Sequence, residues 1–235
     1  MDWKPRYEYG TPVSELIERF RRLYTGAVYD VMDHMNLPYQ ALTSDIKPIR
    51  PDMMLAGLAF TMKGITDPVG NPALRSRRIN MFNDMKSIGC ALIDVRDCSG
   101  DTQVAHYGEM NGVVGRSCGV VGALVDGGCR DTGLLLKMDF PVFCRYLSPV
   151  EAFNRWSYYD WQLPVALRGQ LSSAVQVNPG DFIFGDIDGV LVIPHDAVIE
   201  VLRKTEELAD HESQARAEFA LGADPVAVYK KYGKL

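Results

Sequence analysis

Apolar residues recur at helical spacing through the first 40 positions. Leu16, Ile17, Phe20, Leu23 and Tyr24 form one stripe, and Val28, Val31, Met32 and Met35 a second. Thr11 and Pro12 supply a cap and a first helical position for the first helix, Thr25 a cap for the second, and Pro38 a stop. Strand-like stretches follow at 46–49 and 58–65, then a helix over 76–88 with Ile79, Phe82 and Met85 on one face. The pattern then alternates. Residues 91–95 read as a buried strand and 104–117 as a helix, and 119–125 read as a strand reaching a tight turn at Asp126-Gly127-Gly128. A short helix at 134–138 and a strand at 141–144 complete an α/β core with some parallel pairing. Residues 165–194 hold several short strands with turn signals at Pro179-Gly180-Asp181 and Asp188-Gly189, and a long helix spans 197 to about 221. Pro225 permits a last short helix. One domain over 1–235 is expected, with a helical elaboration at about 1–40 and a helical extension from about 197.

The composition, 47% hydrophobic and 23% charged over 235 residues, suits a compact α/β protein. A net charge of -5 with scattered basic residues argues against a nucleic-acid footprint. The densest basic run, Arg75, Arg77 and Arg78, reads as a solvated helix face. No apolar run of about 18 residues marks a membrane span, and the first six residues lack the apolar core of a secretory signal. The five cysteines, at 90, 98, 118, 129 and 144, include no C-x-x-C pair. Reduced thiols in a cytoplasmic protein are the expectation, rather than a disulfide framework or a thiolate zinc site.

Chemistry-bearing residues are densest between Asp97 and Asp131. Gly108-Glu109-Met110-Asn111-Gly112 precedes the strand, and Asp126-Gly127-Gly128-Cys129-Arg130-Asp131 follows it. Glycines after a strand let backbone amides approach a carboxylate or oxyanion. Arg130 beside Asp131 offers a positive fork and a hard oxygen ligand. The same residues also suit a turn with an internal ion pair. On the last long helix Val198, Val201, Thr205, Leu208, Glu212, Ala215 and Phe219 share a seam on which Glu212 is the single charge. Either the helix leaves the core there and Glu212 is solvated, or the carboxylate joins Glu109 and Asp131 in an acidic metal site. Gly185-Asp186-Ile187-Asp188-Gly189 lacks the ligand ladder of an EF-hand and reads as a hairpin turn. Neither a dinucleotide fingerprint nor a P-loop is present. His34, His106, His195 and His211 form no ligand pair, although His106 lies near the cluster, and nothing in the sequence places a base to activate Cys129. The aromatic stretch Trp156, Tyr158, Tyr159 and Trp161 suits core packing, a subunit contact or a loop covering a substrate.

In order along the chain, Asp97-Cys98-Ser99-Gly100-Asp101-Thr102, Gly108-Glu109, Val125-Asp126-Gly127-Gly128-Cys129-Arg130-Asp131 and Phe140-Pro141-Val142-Phe143 resemble a signature series. It is that of the family that joins class II pyruvate aldolases to the regulator of ribonuclease activity A. Val177-Asn178-Pro179-Gly180-Asp181, the 185–190 stretch and Val192-Ile193-Pro194 continue the likeness, which covers roughly residues 20–222. The resemblance implies a swivelling β/β/α fold and a trimer or dimer of trimers with the site at a subunit interface. It implies a magnesium- or manganese-dependent lyase that cleaves a 4-hydroxy-2-oxo acid to pyruvate, decarboxylates oxaloacetate, or both. By that likeness Asp131 is the direct metal ligand and Arg130 stabilises oxyanion charge. Gly108, Glu109, Met110 and Asn111 hold the substrate carboxylate by their amides. Glu109, and Glu212 from a neighbouring subunit, hydrogen-bond metal-bound water. Met110-Asn111 departs from the usual apolar pair, and residues 154–161 lengthen a loop. Both leave open another oxo-acid or sugar-acid lyase on the same fold. A non-catalytic ribonuclease regulator is the alternative from a different class.

Overall fold

The computed structural model describes residues 6–89 and 91–233. Helix α1 (Val13–Phe20) starts one residue later than the sequence suggests, with Pro12 itself at the N-cap. Helix α2 (Thr25–His34) begins at Thr25, which does not cap it. Instead the Thr25 amide and Oγ1 donate to the two oxygens of Asp186 at 2.8 and 2.7 Å, so a carboxylate remote in sequence closes this helix start. Leu16, Phe20, Val28 and Met32 bury the inner faces of the pair.

The strands are β1 (Lys47–Pro48), β2 (Leu55–Thr66), β3 (Leu92–Asp97), β4 (Ala105–Tyr107), β5 (Val120–Cys129) and β6 (Val142–Leu147). Beyond them lie β7 (Trp156–Trp161), β8 (Val165–Leu167), β9 (Val175–Val177), β10 (Phe182–Gly185) and β11 (Val190–Ile193). One sheet runs β1-β6-β5-β3-β2-β10-β11, with β4 added to β5 and β7 to β2. Pairing is parallel through the centre, between β2 and β3, β3 and β5, and β5 and β6. It is antiparallel at the margins, including β2 with β7 and with β10. β3 and β10 end partway along their neighbours. β4 continues beside β5, and β7 beside β2, so the far end of the sheet is built from different strands than its base. β8 and β9 form a separate hairpin. Two apolar cores result, one under the helices and one between the sheet and this hairpin.

Helices α3 (Pro72–Ser76), α4 (Arg78–Ile88), α5 (Glu109–Ser117) and α6 (Thr132–Lys137) connect the strands, and α7 (Val198–Ala220) and α8 (Pro225–Tyr232) close the chain. Three sequence expectations change. The helix expected over 76–88 is α4, which starts two residues later, after the separate α3, and its buried positions are Met81 and Met85, one turn apart, while Ile79 is exposed. The helix expected from Val104 begins only at Glu109, because residues 105–107 are taken as β4 by the edge of β5. No turn occurs at Asp126-Gly127-Gly128. β5 runs on to Cys129, with its register against β6 shifting between Val125 and Gly128, a bulge that bends the strand without ending it.

Candidate active site

Gly127 and Gly128 sit in that bulge because side chains close in on them. A Cβ on Gly127 would lie 2.4 Å from His106 Nδ1, and one on Gly128 2.7 Å from the Val104 carbonyl oxygen. These glycines therefore serve packing, and the Gly128 amide expected to be open to a ligand is taken up within the chain. The Gly128 amide donates to His106 Nδ1 at 3.1 Å, which leaves the ring proton on Nε2. Nε2 lies 3.3 Å from Asp101 Oδ1 but without the alignment of a hydrogen bond. Burial lowers the His106 pKa to about 4, against the opposing pull of Asp101, so the ring is neutral near pH 7.

Past the bulge the strand delivers Arg130 and Asp131 to one end of the sheet. Asp131 has a left-handed backbone (φ 56°), a conformation Asp tolerates better than most residues, and occupies the N-cap of α6. Its Oδ2 accepts from the Glu109 amide at 3.3 Å and lies 3.6 Å from Arg130 Nε. A Cβ on Gly108 would come within 2.7 Å of the same oxygen, so only glycine lets the α5 start approach this carboxylate. Gly108, extended, is the N-cap of α5, which points its positive end at the Arg130–Asp131 corner. The internal ion pair considered for this stretch is thus present, beside the start of α5. Of the amides expected to hold a carboxylate, that of Glu109 is engaged by Asp131 and that of Asn111 by the Gly108 carbonyl at 3.0 Å.

Beside this corner lies a cavity of about 560 Å³, lined by Gly108, Met110, Asn111 and Arg130 among the expected residues. Glu109 and Asp131 stand at its edge and are not part of the lining. Glu212 lies on α7, where it accepts from Tyr24 Oη and from Arg216 Nη1, and is absent from the lining of the cavity in its own chain. The lone charge on the α7 seam is therefore partnered within the chain.

The cavity floor holds a pair the sequence reading did not single out. Arg96, 2% exposed, donates through Nε and Nη2 to both oxygens of Asp94 at 2.9 and 2.7 Å. It also donates to the His106 carbonyl and to Asn111 Oδ1, and lies over the rings of Tyr107 and Tyr158. Burial opposes its charge, but Asp94 and the tyrosines outweigh that and raise its pKa. The signal in the sequence was two opposite charges at i and i+2 in an apolar strand, which must share one face. Tyr158 Oη donates to Asn111 Oδ1 at 3.1 Å, so the aromatic stretch is β7 forming one wall of the cavity. Arg75 and Arg78 line it as well, while Arg77 turns to Asp160 and the Tyr159 carbonyl. The basic run is thus not the simple solvated face that the sequence suggested.

Cys98, Cys118, Cys129 and Cys144 are free and buried, while Cys90 lies outside the described residues. Contact with Cys144 and burial both push the Cys129 thiol up, away from nucleophilic use. Among the described residues no three His, Cys, Asp or Glu side chains converge as a closed metal cage, and no helix is long and apolar enough to cross a membrane.

The parallel centre, the helix start aimed at an Arg–Asp corner and the adjoining cavity define an α/β protein with a polar-lined cavity at one end of its sheet. The chain belongs to the RraA-like family (Aldolase/RraA), which it matches over residues 25–192. A Halalkalibacterium halodurans protein provisionally named 4-hydroxy-4-methyl-2-oxoglutarate aldolase is 28% identical over 204 residues, covering 86% of this chain and 88% of that one. A solved structure described as "novel cellulases from microbes associated with the gut ecosystem" matches with a TM-score of 0.81 and 34% identity, over 90% of this chain and 91% of that one. Streptomyces coelicolor RraAS2, described as an unusual member of the RNase ES inhibitor RraA protein family, shares the fold at 17% identity. Its TM-score is 0.71, over 87% of this chain and 97% of that one.

Proposed function

We propose that this chain is a divalent-metal-dependent lyase acting on a 2-oxo acid, by retro-aldol cleavage of a 4-hydroxy-2-oxo acid to pyruvate, by oxaloacetate decarboxylation, or both. The observation that carries this reading is the corner where Arg130, Asp131 and the α5 N-terminus meet at the mouth of the cavity. Its donor set fits magnesium or manganese: one partly exposed carboxylate, a second at Glu109, and open sides for water and substrate oxygens. Such an ion, when bound, supplies Lewis acidity to the substrate's oxo group.

The chain's own residues do the rest. The positive end of α5 attracts the substrate carboxylate, and Arg130 meets the negative charge that grows on the oxo oxygen as the carbon–carbon bond opens. Glu109 holds a proton acceptor at the mouth, and the partner subunit's Glu212 is proposed to complete the acidic shell in a trimer or dimer of trimers. Glycoside hydrolysis would need two carboxylates facing across a sugar. Of the carboxylates lining the cavity, Asp94 is wholly taken up by Arg96, leaving Glu151.

Purified protein should release pyruvate from oxaloacetate or a 4-hydroxy-2-oxo acid with magnesium or manganese, and stop with chelator. Arg130→Ala should lower kcat by about 10²–10³, and Asp131→Ala should abolish the response to metal. Absence of turnover across an oxo-acid panel, with Asp131→Ala unchanged in metal binding, would leave the non-catalytic reading.

A further inference from the structure

The reacting corner uses only the mouth of the cavity. About 560 Å³ is a volume typical of pockets for whole organic ligands, so a three-carbon fragment at Arg130 leaves most of it unfilled. The lining has a consistent chemistry. Arg75, Arg78, Arg96 and Arg130 are set against two carboxylates, Asp94 and Glu151. Arg96 is satisfied by Asp94, and Arg130 has Asp131 and Glu151 within 3.6 Å. Arg75 and Arg78 have no carboxylate within ion-pair distance among the described residues.

Those two guanidiniums are nevertheless held in place. Arg75 lies 3.9 Å over the Phe153 ring, donates to Asn154 Oδ1 at 2.7 Å, and passes so near Gly70 that a Cβ there would meet Nη2 at 2.1 Å. Asp67, whose field it feels, is already occupied by Ser157 Oγ and the Asn71 amide. Arg78 stacks over Tyr158 at 5.1 Å.

We propose that this cavity is the specificity subsite for the part of the substrate remote from its oxo group. That part ends in an anionic group, carboxylate or phosphate, which Arg75 and Arg78 receive. The proposal rests on the lyase reading for what happens at the other end of the ligand, but its test is equilibrium binding and needs no turnover.

Calorimetry should compare dicarboxylates from succinate to pimelate with monocarboxylates of the same length, and 3-phosphoglycerate and 6-phosphogluconate as phosphate-ended probes. The wild-type protein should bind at least one dianion about 10–100-fold tighter than its monoanionic counterpart, the range of one or two charge-assisted hydrogen bonds. Which series wins tells carboxylate from phosphate. Arg75→Gln/Arg78→Gln should bring dianion binding down to the monoanion level while the far-ultraviolet circular dichroism stays that of the folded wild type, and Arg78→Lys should retain part of the preference. A wild-type protein indifferent to the second charge, or a preference that survives the double substitution, overturns the subsite. If discrimination appears and vanishes as expected while no oxo acid is turned over, the subsite stands and the lyase reading falls. Turnover without discrimination does the reverse, keeping the lyase and removing the subsite.

Discussion

Asp94 and Arg96 leave the same face of β3 because strand side chains alternate, and that face is the cavity floor. Each would be costly alone in so dry a place, and together they fix Asn111 and the His106 carbonyl beside the α5 start. His106 carries the measurable consequence. Its ordinary value is near 6.5 and burial holds it at about 4, so the unfolded chain binds this proton more readily than the folded one. The stabilisation of the neutral ring is complete above pH 6.5 and is lost as pH falls towards 4, a difference of roughly 3 kcal/mol. His106→Gln should flatten the fall of unfolding free energy between pH 6.5 and 4 relative to the wild type, followed by denaturant titration. An unchanged slope would assign the acid sensitivity to other groups. Arg130 and Asp131 stood out as a sequence pair, and the ion pair between them is one of the two readings that pair allowed. The Asp94–Arg96 pair, inside an otherwise apolar run, was readable only by asking what a buried strand does with two charges.

At the level of elements, periodicity carried the long helices and the central strands, because each buries one continuous face. α7 runs Val198–Ala220 against an expected 197 to about 221. It failed where a neighbour's edge decides: residues 105–107 become β4 only because β5 outlasts β3, and a glycine pair becomes a bulge only because His106 and Tyr146 fill the space a Cβ would need. The contact of β7 with β2 has the same character. At the register shift by Gly64, a Cβ would stand 1.7 Å from Trp156 Cζ2, so the indole lies directly on the backbone. Gly64→Ala should destabilise the protein by about 1–3 kcal/mol through overpacking, seen as a lower denaturant midpoint. In combination with Trp156→Leu, the loss should be smaller than the sum of the two single losses. Strict additivity would mean that the indole does not rest on this glycine.

On the scale of the whole molecule, the proposed machinery is divided. Arg130 and Asp131 lie at the cavity mouth, whereas Glu212 is held on α7 by Tyr24 and Arg216 and does not line its own chain's cavity. If the acidic shell is completed across a subunit boundary, the division has a consequence that no single-chain site shares. Arg130→Ala and Glu212→Gln oligomers should each be impaired in pyruvate release. Mixed oligomers, made by co-expression with two tags and purified through both, contain boundaries where an intact Arg130 meets an intact Glu212. These should regain a substantial fraction of wild-type activity, because one good boundary makes one good site. The composition of the mixture sets the ceiling, which a tag-ratio measurement supplies. Mixed oligomers no more active than the average of their parents would place Glu212 outside the site and return it to the role its contacts already give it, a tether between α7 and the residue preceding α2.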